Sequence, residues 1–144
     1  MYIFINSDLG MSPGKVAAQA SHAAVEAYRI SNDTLVEDWY NGGHYTKLVM
    51  DGGNSSTLLI IERYLKERDF KVKLIIDEGR TEIARFSPTA LGVEVVDRDD
   101  PHTAATFESF STLKAPSKLR TPWRRASLWD LLRGRAQVIT GDPE

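Results

Sequence analysis

The stretch "YIFINSDLGMSPGKVAAQASHAAVEAY" constrains this chain more than any other, because one short turn joins two different side-chain periodicities. Tyr2 to Asn6 is a run of apolar β-formers and reads as a strand. Ser12 is a good N-cap, Pro13 suits the first helical position, and the alanine-rich run that follows is strongly helix-forming, so a helix is expected from about Pro13 to Ile30. Val16, Ala20, Ala23, Ala24 and Ala27 give that helix a small apolar face, which lets it lie very close to a sheet. A strand that feeds such a helix points to an α/β fold.

Lys15 is out of place in this helix. It falls at the third helical position, near unsatisfied N–H groups and the positive end of the dipole, where an acid would close a capping box. A cation there destabilises the helix unless an anion joins it.

The rest of the chain continues the alternation. "DTLVEDWYN" reads as a short helix ending at Gly42 or Gly43, where glycine can adopt the left-handed cap. "KLVM" is a second strand and "DGGNSS" a turn with a new cap, and Leu58, Ile61 and Leu65 have helical spacing. "VKLII" and "TALGVEVV" are two more strands. A last helix begins at Asp100 and Pro101 and packs through Phe107 and Phe110. The order strand, helix, helix, strand, helix, strand, strand, helix predicts a four-stranded mixed β-sheet with helices on both faces, in one domain over residues 1–115.

The bulk numbers exclude more than they assign. With 42% hydrophobic and 26% charged residues the chain suits a globular class, and 144 residues can bury a real core. It has no cysteine, which excludes a disulfide scaffold and thiolate chemistry and fits a reducing compartment. No stretch approaches about 18 apolar residues and the N-terminus lacks a signal pattern, so neither a membrane span nor a secretory leader is expected, and the cytoplasm is the expected compartment. Through Phe110 there are 11 basic and 17 acidic residues, net −6; from Ser111 onward there are 7 and 3, net +4. An acidic body thus carries a basic tail, residues 116–144, with Pro116, Pro122 and Pro143 interrupting any periodicity. Two readings of that tail stand: Trp123 and Trp129 cover a hydrophobic edge, or Trp123 with Arg124 and Arg125 meets RNA by stacking and phosphate contact.

Two constellations carry candidate chemistry. On the first helix Lys15, Gln19, His22 and Glu26 are spaced four, three and four apart and form one polar stripe. His22 is either a hydrogen-bonded structural histidine or part of a site built on that stripe. "GMSPGKV" is not a phosphate loop of the NTPase type, since Gly10 and Gly14 enclose three residues and Val16 follows the lysine, but a helix N-terminus can still attract an anion. The second constellation is "LIIDEGRTEIARFSPT", where Asp77 directly follows a strand and Arg80 and Thr81 follow a glycine turn. Ligands of open α/β sheets bind beyond the carboxyl ends of strands, so if "YIFIN" and "VKLII" run parallel, Asp77 and Lys15 emerge at one edge. They form either a catalytic cluster or an ion pair that only fixes the turn. His44 and His102 lie in loop and cap positions, and with no His/Asp/Glu set at ligand spacing no bound metal is expected.

"DLGMSPGKVAAQASHAAVEAY" and "DEGRTEIARFSPTALGV" together closely resemble the type II, archaeal/eukaryotic-type family of peptidyl-tRNA hydrolases. The resemblance runs from about Tyr2 to Lys114, with "EDWYNGG" and "STLK" in order, and leaves out the tail; "GGHYTK" departs from the family's usual glycine-glutamine turn. It implies an α/β domain without a cofactor, often a homodimer, that hydrolyses the ester between a peptidyl group and tRNA. It carries functional positions onto Lys15, Gln19, His22, Asp77, Arg80, Thr81 and Thr89.

With no cysteine and no Gly-x-Ser-x-Gly elbow, direct attack by water is the expected route. Asp77 would orient the water and accept its proton, directly or through Thr81, and Lys15 would stabilise the oxyanion or hold the terminal phosphate of tRNA. Arg80 and Lys47 are the candidates for further phosphate contacts. The alternative is a non-catalytic tRNA- or RNA-binding module on the same fold, which would need Lys15 but hardly Asp77. A third reading, a partner-binding protein acting through its tail, would need neither.

Overall fold

Strand β1 (Tyr2–Ile5) is buried at all four positions, as a central strand covered on both faces must be. In this computed structural model, which describes residues 1–42, 45–78 and 83–113, the residues from Met1 to Leu113 pack as one unit. The boundary expected after Ala115 and the whole basic tail lie outside the described residues. β1 pairs in parallel with β2 (Leu48–Asp51) on one side and antiparallel with β4 (Ser87–Val93) on the other. β3 (Val72–Asp77) pairs antiparallel with β4, giving the order β2-β1-β4-β3. Since β1 and β3 both oppose β4, strands β1, β2 and β3 point the same way. Their carboxyl ends share one edge.

Alternation along β1 sorts the core into two layers. Tyr2 and Phe4 join Leu91 and Val93 against Leu58, Ile61 and Leu65 of α3 (Ser55–Lys66) and Phe107 of α4 (Pro101–Phe107). Ile3, Ile5 and Ala90 join Ala23 and Ala27 of α1 (Pro13–Ile30), with Val36 and Trp39 of α2 (Asp33–Asn41) packed alongside. Phe4, Leu58, Leu65 and Leu91 are wholly shielded, each contributing about 1.5–3 kcal/mol by burial, so the aromatic and leucine layer holds most of the driving force. The alanine layer does a different job by admitting α1 close to the sheet. A Cβ on Gly92 would lie 2.3 Å from the carbonyl oxygen of Ala23, an approach only glycine permits.

Each expected element forms, and the caps follow the sequence. The side chains of Asn32, Asn54 and Asp100 each accept a backbone N–H at the start of α2, α3 and α4. Two details differ. Gly42 ends α2 at φ −63°, in the right-handed region, so the left-handed cap does not form there, and Gly43 lies outside the described residues. α4 stops at Phe107, because Ser111 and Thr112 must be extended to bond Asp51 and bridge Met50 at the edge of β2; Phe110 still packs edge-on against Phe4 at 4.9 Å.

Candidate active site

The site begins where β1 ends. Asn6 is 2% exposed and its backbone N–H and side-chain amide are all engaged: its N–H bonds Thr89 O (2.9 Å), its amide donates to Ser55 Oγ (3.1 Å) and Pro88 O (2.8 Å), and its Oδ1 accepts from Asp8 N (3.2 Å). This one side chain ties the turn into α1, the start of α3 and the start of β4 together. Gly10 then takes φ +63° to turn the chain, and Ser12 Oγ accepts the N–H of Lys15 at 3.2 Å. The serine supplies the N-cap, so the side chain of Lys15 is not needed for one.

Lys15 reaches across to the end of β3 instead. Its Nζ donates to Asp77 Oδ1 at 2.7 Å, with the two side chains 11% and 12% exposed. One turn deeper, Gln19 is 4% exposed and its Nε2 donates to the same oxygen at 3.4 Å. Behind it the fully buried Thr89 hydroxyl donates to Gln19 Oε1 at 2.5 Å, with Ile75 O at 3.2 Å as a second acceptor. That bond fixes the amide: its oxygen faces the hydroxyl and its NH₂ faces the carboxylate. Thr89 can take part because the β3–β4 register slips between Ile75 and Ile76, pairing Ile75 with Ala90 and Ile76 with Pro88. The bulge leaves Thr89 as the extra residue, so Thr89 and Ala90 both face α1. Thr89, Gln19, Asp77 and Lys15 thus form one chain of contacts running from the core to the surface.

The other candidates are placed differently. His22 is exposed on α1, and it makes no hydrogen bond among the described residues. Lys47 stands just before β2, at the opposite edge of the sheet from Asp77, with its Nζ 4.8 Å from the Trp39 ring centre and bonded to Tyr45 O. A cleft of about 590 Å³ lined by Trp39, Thr46, Val95 and Arg98 opens at that far end. There the Met1 amino group, 3.3 Å from Thr46 O, is pushed down from 8.0 to about 6 by burial and then by the charges of Arg98 and Lys47. Arg80, Thr81 and His44 lie outside the described residues, as do Trp123, Arg124, Arg125 and Trp129. Among the described residues no three His, Asp or Glu side chains come together in a way that could hold a metal. Sequence reasoning passed over Asn6, whose signal was a polar residue closing an apolar strand directly before the turn.

A carboxylate anchored by an ammonium and an amide, at the carboxyl edge of a mixed sheet and beside a helix N-terminus, defines an α/β protein with a polar cluster at the edge where open sheets of this kind bind their ligands. Comparison with known proteins narrows that class. A family model described as peptidyl-tRNA hydrolase PTH2 matches residues 1–104, and the chain belongs to that family. It is 40% identical over 96 residues to "Peptidyl-tRNA hydrolase 2, mitochondrial" of Homo sapiens, covering 65% of this chain and 53% of that protein. It is 35% identical over 96 residues to "Probable peptidyl-tRNA hydrolase 2" of Schizosaccharomyces pombe, covering 65% and 46%. To "Peptidyl-tRNA hydrolase" of Halobacterium salinarum it is 36% identical over 91 residues, covering 63% and 80%. The chain spans about half the length of the human and yeast relatives. Among the described residues no helix is long and apolar enough to cross a membrane.

Proposed function

We propose that this chain hydrolyses the ester that joins a peptidyl or N-acyl-aminoacyl group to the terminal ribose of tRNA. The observation that carries the reading is the 2.7 Å Lys15–Asp77 pair held from behind by Gln19 and Thr89, in a chain of the peptidyl-tRNA hydrolase PTH2 family. Asp77 orients the attacking water and accepts its proton, directly or through Thr81, and gives it to the ribose oxygen as the acyl C–O bond breaks. Because Lys15 already neutralises it, Asp77 acts more by orientation than by basicity. As the substrate carbonyl turns tetrahedral, the Lys15 ammonium and the first N–H groups of α1 stabilise the oxyanion or hold the neighbouring phosphate. Gln19 and Thr89 keep the carboxylate in place.

Arg80 and the basic tail contact phosphates near the ester, and His22, exposed beyond Gln19, meets substrate at the rim. Lys47, at the far edge, serves a more distant phosphate, which a ligand as large as tRNA can reach. The chain works as a homodimer, the assembly that the family resemblance suggests. The cytoplasm suits a chain without cysteine, and fractionation of cells expressing it tests that placement.

The test is release of N-acyl-amino acid from N-acyl-aminoacyl-tRNA, with free aminoacyl-tRNA as control, by wild type and Asp77→Asn. Turnover of the blocked ester alone, reduced at least about 100-fold by Asp77→Asn, is the expected result. Binding of tRNA without turnover would refute the hydrolase and leave a binding module.

A further inference from the structure

Phe86 is the least economical residue of the described chain. Its side chain is 68% exposed, the most of any large apolar residue described, and its backbone sits at φ +60°. Asp69 is the other described non-glycine residue in the left-handed region, and its conformation has a local reason. It lies just beyond α3, where Phe70 N bonds back to Leu65 O in a helix-ending motif, and aspartate tolerates that region. A bulky aromatic does not. Phe86 N donates to Asp77 O at 2.7 Å while Ser87 is the ladder partner of Asp77, so two residues oppose one, at a bulge position where glycine is the ordinary occupant. The chain therefore holds a phenylalanine in strain and leaves its ring in water.

The ring is nonetheless well placed. Phe86 bonds the backbone of Asp77 itself, and Ser87 Oγ bonds Ala84 O at 2.7 Å, fixing the entry to β4. Arg85 Nε donates to Glu78 O across the hairpin at 3.2 Å, and its guanidinium carbon lies 5.3 Å from the Phe86 ring centre. An exposed aromatic face beside a guanidinium, both in the segment that enters β4 and bonds back to the end of the strand carrying the carboxylate, has the chemistry that holds an unpaired nucleobase by stacking and its phosphate by charge. In the substrate proposed above, the ester sits on the last nucleotide of the tRNA, so a base must lie beside Asp77 whenever the ester does.

We propose that Arg85 and Phe86 form the subsite for the 3′-terminal nucleotide of tRNA, with the base stacked on Phe86 and Arg85 against its phosphate. This inference rests on the hydrolase reading and adds a binding element to it.

The experiment measures kcat and KM with N-acyl-aminoacyl-tRNA, and Ki for uncharged tRNA as a competitor, in wild type, Phe86→Gly, Phe86→Tyr and Arg85→Ala, with urea unfolding of each. Expected for Phe86→Gly is a KM about tenfold higher, a Ki raised by the same factor, kcat within about twofold and stability equal or higher, with Phe86→Tyr restoring wild-type values. Arg85→Ala should raise KM and Ki together and lower their salt dependence. Unchanged KM and Ki in Phe86→Gly would overturn the proposal. So would a higher KM with unchanged Ki, which would assign the ring to the acyl group, or a loss of stability matching the loss of affinity, which would make Phe86 structural. Failure of wild type to turn over any blocked ester would remove the hydrolase reading instead, and the affinity of the variants for uncharged tRNA would still decide this one.

Discussion

Replacing Thr89 by valine keeps the shape of a fully buried side chain and deletes one hydroxyl, which makes it a clean probe of the chain of contacts behind Asp77. Gln19 Oε1 then loses its 2.5 Å donor inside a side chain that is 4% exposed, where an unsatisfied acceptor costs about 2 kcal/mol. Gln19→Met costs less, about 1.5 kcal/mol, because the Thr89 hydroxyl still has Ile75 O at 3.2 Å and methionine fills similar volume. In the double variant both partners are apolar and no acceptor is stranded, so the total should be about 2 kcal/mol rather than the sum, a coupling of about 1.5 kcal/mol. Urea unfolding of the four proteins measures this, and the same proteins are assayed for ester hydrolysis. Activity of Thr89→Val should fall although Lys15 and Asp77 are intact, since the Gln19 amide is no longer held with its NH₂ toward the carboxylate, while Thr89→Ser should retain most of it. Additivity within about 0.5 kcal/mol, or full activity in Thr89→Val, would refute the reasoning.

Gly92→Ala places a methyl group 2.3 Å from Ala23 O and 3.1 Å from the Ala27 methyl, so α1 must move off the sheet. Expected are a stability loss of at least about 2 kcal/mol by urea unfolding and a larger fractional loss of kcat than Asn or Ser substitutions on the exposed face of α1 give, because Lys15 and Gln19 shift with the helix. In a polypeptide that starts at Met1 with a free amine, the amino group is held at about 6 when folded against 8.0 when unfolded. Between these values the unfolded state binds more protons, so stability rises with pH through that window, by up to about 3 kcal/mol, and that gain is lost as pH falls from 8 to 6. Unfolding midpoints at pH 6, 7 and 8 should show this slope, and an N-terminally acetylated chain should lose it.

Much of the architecture was legible because periodicity and capping agree along the chain. Leu58, Ile61 and Leu65 are spaced for one helix face, and all three are buried in α3; Ser12, Asn54 and Asp100 cap where their side chains allow. The meeting of Lys15 with Asp77 followed from a single inference, that β1 and β3 run parallel. The polar stripe on α1 was only half right, for a geometric reason. At about 100° per residue, each step of four advances about 40° around the helix, carrying Gln19 from Lys15 toward the buried alanines, whereas the step of three to His22 falls back about 60° and returns it to solvent. Lys47 lies apart from the Lys15–Asp77 pair because it precedes β2 (Leu48–Asp51), and roughly 13 Å of strand separates that end of the sheet from the one where the pair sits. The bond between Thr89 and Gln19 was not legible from alternation at all. A regular strand would put Thr89 and Ala90 on opposite faces, and only the register slip at Ile75 and Ile76 puts both on α1.

The lysine at the third position of α1 can be understood from these constraints taken together. A buried ion pair is a poor stability device, since the desolvation of both ions roughly cancels their attraction, and a well-packed apolar pair would hold the edge as well. Stability is available elsewhere: Phe4, Leu58, Leu65, Leu91 and Phe107 form a separate core layer from the one that holds Ala23 and Ala27 of α1. The fold nevertheless arranges several costly features around it. Glycine stands at residue 92 so that α1 can approach, a bulge turns Thr89 inward, and Gln19 occupies a buried position that alanine or leucine would fill more cheaply. Each of these features fixes the orientation of one carboxylate, and none enlarges the apolar core. Preorganisation of Asp77 beside a cation is therefore the property they share, and it is the property that the hydrolysis proposed above would draw on.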